Sequence, residues 1–199
     1  MKNFFIIILL AILLMPGCRG SRTAINRFYI LEYPRDISVN IPGRTIESSC
    51  YVNPVDIYPA FSTNQIAYRE DSHEIRYYSF NHWAIRPEAG FTRILLDYLD
   101  DNRVFSRVHH TSPVHDAIYS IETVVHRLEV VRERNDYHAH LVVRFRLIDN
   151  DSGNIVSEHL NSSTTEMDDP NLNLFARSVS VMFVEELDHF LGGILKLYE

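Results

Sequence analysis

A chain of 199 residues with 46% hydrophobic and 23% charged side chains has the length and composition of one domain with a sizeable core. Its formal net charge of −7 argues against a nucleic-acid partner, which wants a basic footprint, and against a polybasic clamp on anionic lipid. No internal repeat or low-complexity tract breaks the chain.

The N-terminal stretch MKNFFIIILLAILLMPGC has a positive Lys2, an unbroken apolar run from Phe4 to Met15, and a closing Pro16-Gly17-Cys18. Such a run fits the roughly 7–15-residue core of a signal peptide. It falls short of the ~20 residues that a membrane-spanning helix needs. Leu14 to Cys18 resembles a bacterial lipobox, in which the cysteine thiol takes a diacylglycerol, the signal is cleaved before it, and the new amino terminus is acylated. Residues 1–17 are then a lipoprotein signal peptide, 18–24 a lipidated N-terminus with a short tether, and 25–199 the domain. One acyl chain binds a membrane only marginally, whereas N-acyl and S-diacylglycerol groups on Cys18 together exceed what stable anchoring requires. Arg19 stands where an aspartate, by resemblance to the bacterial sorting pattern, would hold the protein at the inner membrane. The expected location is the periplasmic leaflet of the outer membrane. With Cys18 acylated, Cys50 is either a free, part-buried thiol or one half of an intermolecular bridge.

In chain order, residues 25–34 predict a first strand with Phe28 and Ile30 on one face and Tyr29 and Leu31 on the other, hence a buried one. Pro42-Gly43 marks a turn. An extended stretch over 46–57 is interrupted at Asn53-Pro54, which demotes its end to edge or loop. Residues 65–69 and 74–80 are β-prone and flank Glu70-Asp71-Ser72, a hairpin connection. Pro87 suits a first helical position, and Phe91, Ile94, Leu95, Tyr98 and Leu99 form one apolar stripe of a helix ending around Asp100 to Asn102.

A short strand over 104–108 follows. Over 118–131, Tyr119, Ile121 and Val125 fall on one side and Leu128 and Val130 on the other, which predicts a bulge or twist between them. Ala139, Leu141, Val143, Phe145 and Leu147 alternate with His138, His140, Arg144 and Arg146, a half-buried strand. Arg132, Glu133 and Arg134 read as a solvated loop. Asp149 to Asn154 is a turn, and 155–165 a returning strand. Asp168 or Asp169 can cap a last helix with Pro170 in its first turn. Its core stripe runs from Leu172 to Ile194, and Gly192-Gly193 ends or frays it. Leu174, Val181 and Val184 lie off the stripe, as a second core contact or as a surface that docks or self-associates. The fold class is α+β: a mixed or antiparallel sheet carrying two amphipathic helices in a single domain.

The sequence lacks a phosphate-binding Gly-x-x-x-x-Gly-Lys loop, a Gly-x-Ser-x-Gly elbow, a zincin helix and a glycine-rich dinucleotide fingerprint. His109, His110 and His115, and the pair His138 and His140, invite a metal reading, but their spacing does not supply the remaining ligands of a tetrahedral site. No catalytic, metal or cofactor-binding residue is expected, and no cofactor beyond the lipid on Cys18. Trp83 reads either as a wedge where strand meets helix or as an exposed anchor for a partner.

The stretch from Gln65 to Asp101 resembles the ABC-type transport auxiliary lipoproteins, the family of the paraquat-inducible protein C type. Ile66, Tyr68 and Arg69 match its first strand, Arg76 and Tyr77 its second, Trp83 and Ala84 its Trp-Ala element, and Phe91, Leu95 and Leu99 the helix that follows. Phe28-Tyr29-Ile30-Leu31 is similar to the family's first mature strand. Ser62-Thr63-Asn64 departs from the Arg-Pro pair usual before Gln-Ile. The resemblance implies a non-catalytic component of an envelope lipid-transport system. Its partners would be the membrane, an MCE-domain protein and further copies of itself, and it would dock the trans-envelope conduit at the outer membrane. The alternative is an assembly lipoprotein that plugs or supports an outer-membrane β-barrel, of the lipopolysaccharide-assembly type.

Overall fold

A computed structural model describes residues 25–37, 45–70, 72–111 and 117–197. The signal peptide, Cys18, the tether, the Pro42-Gly43 turn, Asp71 and His115 lie outside the described residues. In chain order the elements are β1 (Arg27–Tyr29), β2 (Ile46–Val52), β3 (Asp56–Ile57), β4 (Gln65–Arg69), β5 (Arg76–Trp83), α1 (Pro87–Asp101), β6 (Phe105–His109), β7 (Tyr119–Glu133), β8 (Asp136–Asp149), β9 (Ile155–Met167) and α2 (Leu172–Leu197).

The strands form one mixed sheet organised around β7. One edge of β7 pairs antiparallel with β8 along its whole length, from Tyr119 opposite Asp149 to Glu133 opposite Asp136. Its other edge takes three short strands one after another, all parallel: β2 at Tyr119 to Ile121, β3 at Val124 and Val125, and β4 at Glu129 to Val131. The break at Asn53-Pro54 lets β2 and β3 pair separately with β7. Outside these lie β6 on β2, β5 on β4, β1 on β5, and β9 on β8. The expected α+β architecture with two helices is the observed one.

The expected irregularity in β7 is a bulge. The register with β8 shifts between Val125 and Arg127, leaving His126 as the extra residue. An added residue reverses the alternation of a strand. Ile121 and Val125 before the bulge, and Leu128 and Val130 after it, therefore all turn to one buried face. Both helices cover that face. Phe183 of α2 packs on Phe91 of α1 at 4.7 Å between ring centroids and on Phe145 of β8 at 5.3 Å. The fully buried Tyr98 of α1 donates its hydroxyl to Asp188 of α2 at 2.7 Å. Of the residues off the main α2 stripe, Val184 is buried and Leu174 and Val181 are half-buried.

Four expectations are corrected. The first strand is three residues long and lies at the sheet edge: it pairs with β5 alone, so Phe28 and Ile30 are exposed, Tyr29 packs half-buried against the core, and Leu31, beyond the strand, is buried in it. Apolar residues on both faces cannot bury a strand that has a neighbour on one side only. Arg132 and Glu133 belong to β7, and the connection to β8 narrows to Arg134-Asn135, with Arg134 at φ 57°. The cap of α2 is Asn171, whose Oδ1 accepts from the N–H groups of Asn173 (3.0 Å) and Leu174 (3.4 Å). Asp169 instead accepts from Asn171 N–H, and Pro170 precedes the helix. Finally, α2 runs through Gly192-Gly193 to Leu197. Two helical glycines cost about 1 kcal/mol each, and burial of Ile194 and Leu195 beyond them offsets that at about 1.5–3 kcal/mol per side chain.

A Cβ added at Gly192 or Gly193 would meet nothing within 4 Å. Gly192→Ala and Gly193→Ala are expected to stabilise the fold by about 0.5–1 kcal/mol each, read as a rise in the urea midpoint at unchanged slope.

Candidate functional site

The sheet face opposite the helices holds a depression of about 540 Å³ lined by β4, β7, β8 and β9. Glu129 lies at its floor. The bulge at His126 turns this side chain away from the helices, and the register sets it beside Ala67 of β4 and His140 of β8. Neighbouring side chains then cover it completely, so its carboxylate is fully buried on a face that no helix covers.

Arg69 Nε donates to Glu129 Oε2 at 2.9 Å, and Arg69 Nη1 donates to the Ser72 carbonyl at 2.8 Å. Glu129 Oε1 makes no hydrogen bond. His140 Nδ1 stands 3.5 Å from it and the half-exposed Arg127 Nη1 3.7 Å. Burial pushes the Glu129 carboxyl up, but His140 and the Arg69 guanidinium outweigh that and hold it below the usual carboxylate range. At the rim, Glu70 accepts from Arg132 and Arg76, both at 3.1 Å, and Arg132 stacks over Tyr137. The depression thus presents guanidinium and imidazole groups around a carboxylate already engaged by Arg69. Its lining offers charged donors and acceptors to a polar ligand.

A second buried carboxylate, Glu186, lies on the inner side of the sheet. Within the core face of α2 it accepts from His159 Nε2 (2.7 Å), Asn161 Nδ2 (2.7 Å) and the Ser163 hydroxyl. These are alternate residues of β9. Serine, histidine and glutamate are the components of a hydrolase triad. Here, however, both serine and histidine bind the carboxylate, whereas nucleophilic catalysis needs the histidine between them. The cluster is a clip fastening β9 to α2. Burial pushes the Glu186 carboxyl up, and its three donors hold it below its ordinary value.

The remaining residues singled out in the sequence are dispersed. Trp83 closes β5, is 3% exposed and packs on Phe175 of α2 at 5.9 Å. Cys50 is a fully buried free thiol that burial pushes up to about 12, so it is unreactive near neutral pH. His138 and His140 line the depression, whereas His109 ends β6. Among the described residues no group of three or more His, Cys, Asp or Glu is placed to hold a metal ion. Nor is any helix among them long and apolar enough to cross a membrane. Glu129, Arg69 and Glu186 went unrecognised as a site in the sequence. Glu186 left a signal: a carboxylate in an apolar stripe, matched by the polar alternation 159, 161, 163.

Because the Glu129 carboxyl is depressed in the folded state, its contribution to stability is complete above the unfolded carboxylate range and is lost as pH falls through the folded value. Glu129→Gln is expected to cost about 1–3 kcal/mol near neutrality. Urea unfolding followed from about pH 7 to about pH 3 should show that gap closing as the wild-type carboxylate protonates.

Comparison with known proteins places this architecture. A family model described as the ABC-type transport auxiliary lipoprotein component matches residues 29–183. The crystal structure of a Xanthomonas campestris protein of the DUF330 family superposes with a TM-score of 0.74 at 12% identity, covering 85% of this chain and 94% of that one. An uncharacterized protein of known structure superposes with a TM-score of 0.64 at 9% identity, covering 85% and 99%. At such identities the two structures establish the fold alone. No curated protein matches the sequence.

Proposed function

The chain belongs to the family of ABC-type transport auxiliary lipoprotein components, and from that premise we propose that it is the lipid-anchored, non-catalytic member of an envelope lipid-transport system built on an MCE-domain protein. The observation that carries this reading is the juxtaposition of a family domain over residues 29–183 with a lipobox-like Leu14 to Cys18 just ahead of it. Acyl groups on Cys18 would hold the domain at the periplasmic leaflet of the outer membrane, since no aspartate follows the cysteine to retain it elsewhere. Stable attachment follows from acyl chains whose methylenes each contribute about 0.8 kcal/mol.

ATP hydrolysis belongs to another subunit, because the sequence has no phosphate-binding loop. This chain's part is to bind and position. The helical side of the domain is closed by Phe91, Phe145 and Phe183. The opposite face, with Arg69, Arg127 and Arg132 around the depression, is the polar surface on which the end of a conduit can seat. Half-exposed guanidiniums there can reach carboxylates of a partner without leaving a buried charge unpaired.

Labelling cells with palmitate and fractionating them tests the anchor. The wild-type chain should carry label and float with outer membranes, and Cys18→Ser should lose the label and the membrane association together. Affinity capture of the lipidated chain from detergent-solubilised membranes tests the partner. An MCE-domain protein should be recovered, less of it with Arg127→Ala and Arg132→Ala combined. Consistent recovery of an outer-membrane β-barrel in its place would overturn the proposal in favour of an assembly lipoprotein.

A further inference from the structure

The edge strand β1 leaves a cluster of large apolar side chains in the open. It pairs with β5 alone, in parallel register: Arg27 with Asn81, Phe28 with His82, Tyr29 with Trp83. Trp83 faces Phe175 and the helices, so by alternation the adjacent His82, and Phe28 paired with it, turn to the helix-free face. Phe80 lies two residues back in β5, in the stretch where the register with β4 shifts. Phe28 is 65% exposed and its ring lies 5.8 Å from that of His82, while Phe80 is 50% exposed. Ile25, ahead of the strand, and Ile30, just past it, are exposed as well. Large apolar side chains exposed at a free strand edge are normally covered, because they otherwise invite association.

We propose that this patch seats in the lipid bilayer, so that the domain lies with its β1 edge against the membrane. The inference rests on the lipid anchor at Cys18. Two observations choose the bilayer as occupant. The first is reach: residues 18–24, even fully extended at 3.6 Å per residue, span no more than about 25 Å. Ile25 and Phe28 follow directly, so the patch is confined next to the acyl chains. The second is local charge. Residues 19–35 contain Arg19, Arg22, Arg27 and Arg35 against a single acidic residue, Glu32, within a chain whose net charge is −7. Basic side chains flanking an apolar cluster suit the interface of an anionic leaflet, with the rings below the headgroups and the guanidiniums among them. The acidic remainder of the domain is then held away from the surface by its own repulsion. Two Phe rings and two isoleucines add orientation, whereas the acyl groups supply attachment.

Site-directed spin labelling of the full lipidated chain in vesicles of phosphatidylethanolamine and phosphatidylglycerol tests this. Cys50 is fully buried and Cys18 acylated, so Phe80→Cys and Ser152→Cys each offer one reactive thiol. Ser152 lies in the β8–β9 turn, away from β1 in the sheet order. The label at position 80 should be relaxed more by lipid-soluble oxygen than by a water-soluble nickel complex, and the label at 152 the reverse. Adding Phe28→Ser and Ile30→Ser should shift the label at position 80 back towards the aqueous reagent. Aqueous behaviour at both positions, on vesicles that carry the protein, overturns the inference and leaves the anchor standing. Spin–spin broadening between copies at position 80 without lipid contact also overturns it, and assigns the edge to a second copy. A chain that fails to float with the vesicles overturns the anchor, and this inference falls with it.

Discussion

Every other element takes its position from the two hydrogen-bonding edges of β7. One edge is satisfied by a single long antiparallel partner, β8. The other is satisfied piecewise by β2, β3 and β4, parallel and in succession. Buried backbone N–H and C=O groups must find partners, so each short strand is held in place by a different third of β7. Strands brought together this way need crossover connections, and α1, entering directly after β5, returns the chain across the helical face to β6. Replacing the single long neighbour on one side by three short ones also sets how β5 and then β1 are added outward, ending in a free edge.

The bulge at His126 has a second consequence. In one continuous register, Glu129 would share a face with Ile121 and Val125 and would meet the phenylalanines of α1 and α2. The extra residue moves Leu128 and Val130 into the core and sends Glu129 outward, where Arg69 and His140 engage it. A carboxylate without partners in an apolar core is among the costliest groups a fold can contain. The irregularity is what lets this sequence keep both its apolar spine and its charged floor.

The surfaces that result differ in character. The helical side is a closed core of aromatic rings, fastened to the outer strand β9 by the Glu186 clip. That clip restrains an edge strand whose inward residues, apart from Met167 at its end, are polar and contribute little hydrophobic attachment of their own. The helix-free side is polar at its centre, around Glu129, and apolar at its β1 end, around Phe28. The polar central face and the closed aromatic core are the two surfaces on which the proposed auxiliary role rests.

Local pattern was enough to establish the two helices, the alternation of β8, the turn at Asp149 to Asn154, the break at Asn53-Pro54 and the irregularity in β7, because periodicity and Pro or Gly chemistry act within a few residues. The same pattern misread β1 as buried, because edge or centre depends on how many strands lie beyond, which no stretch of ten residues encodes. It ended α2 at Gly192-Gly193, because helix propensity is local whereas the burial of Ile194 and Leu195 depends on the sheet beneath them. The family was legible as motifs in the chain itself. Glu129 with Arg69, sixty residues apart, and Glu186 with β9 were not. Which charges meet is decided by strand order and register, and these exist only once the backbone hydrogen bonds of the whole sheet have been satisfied together.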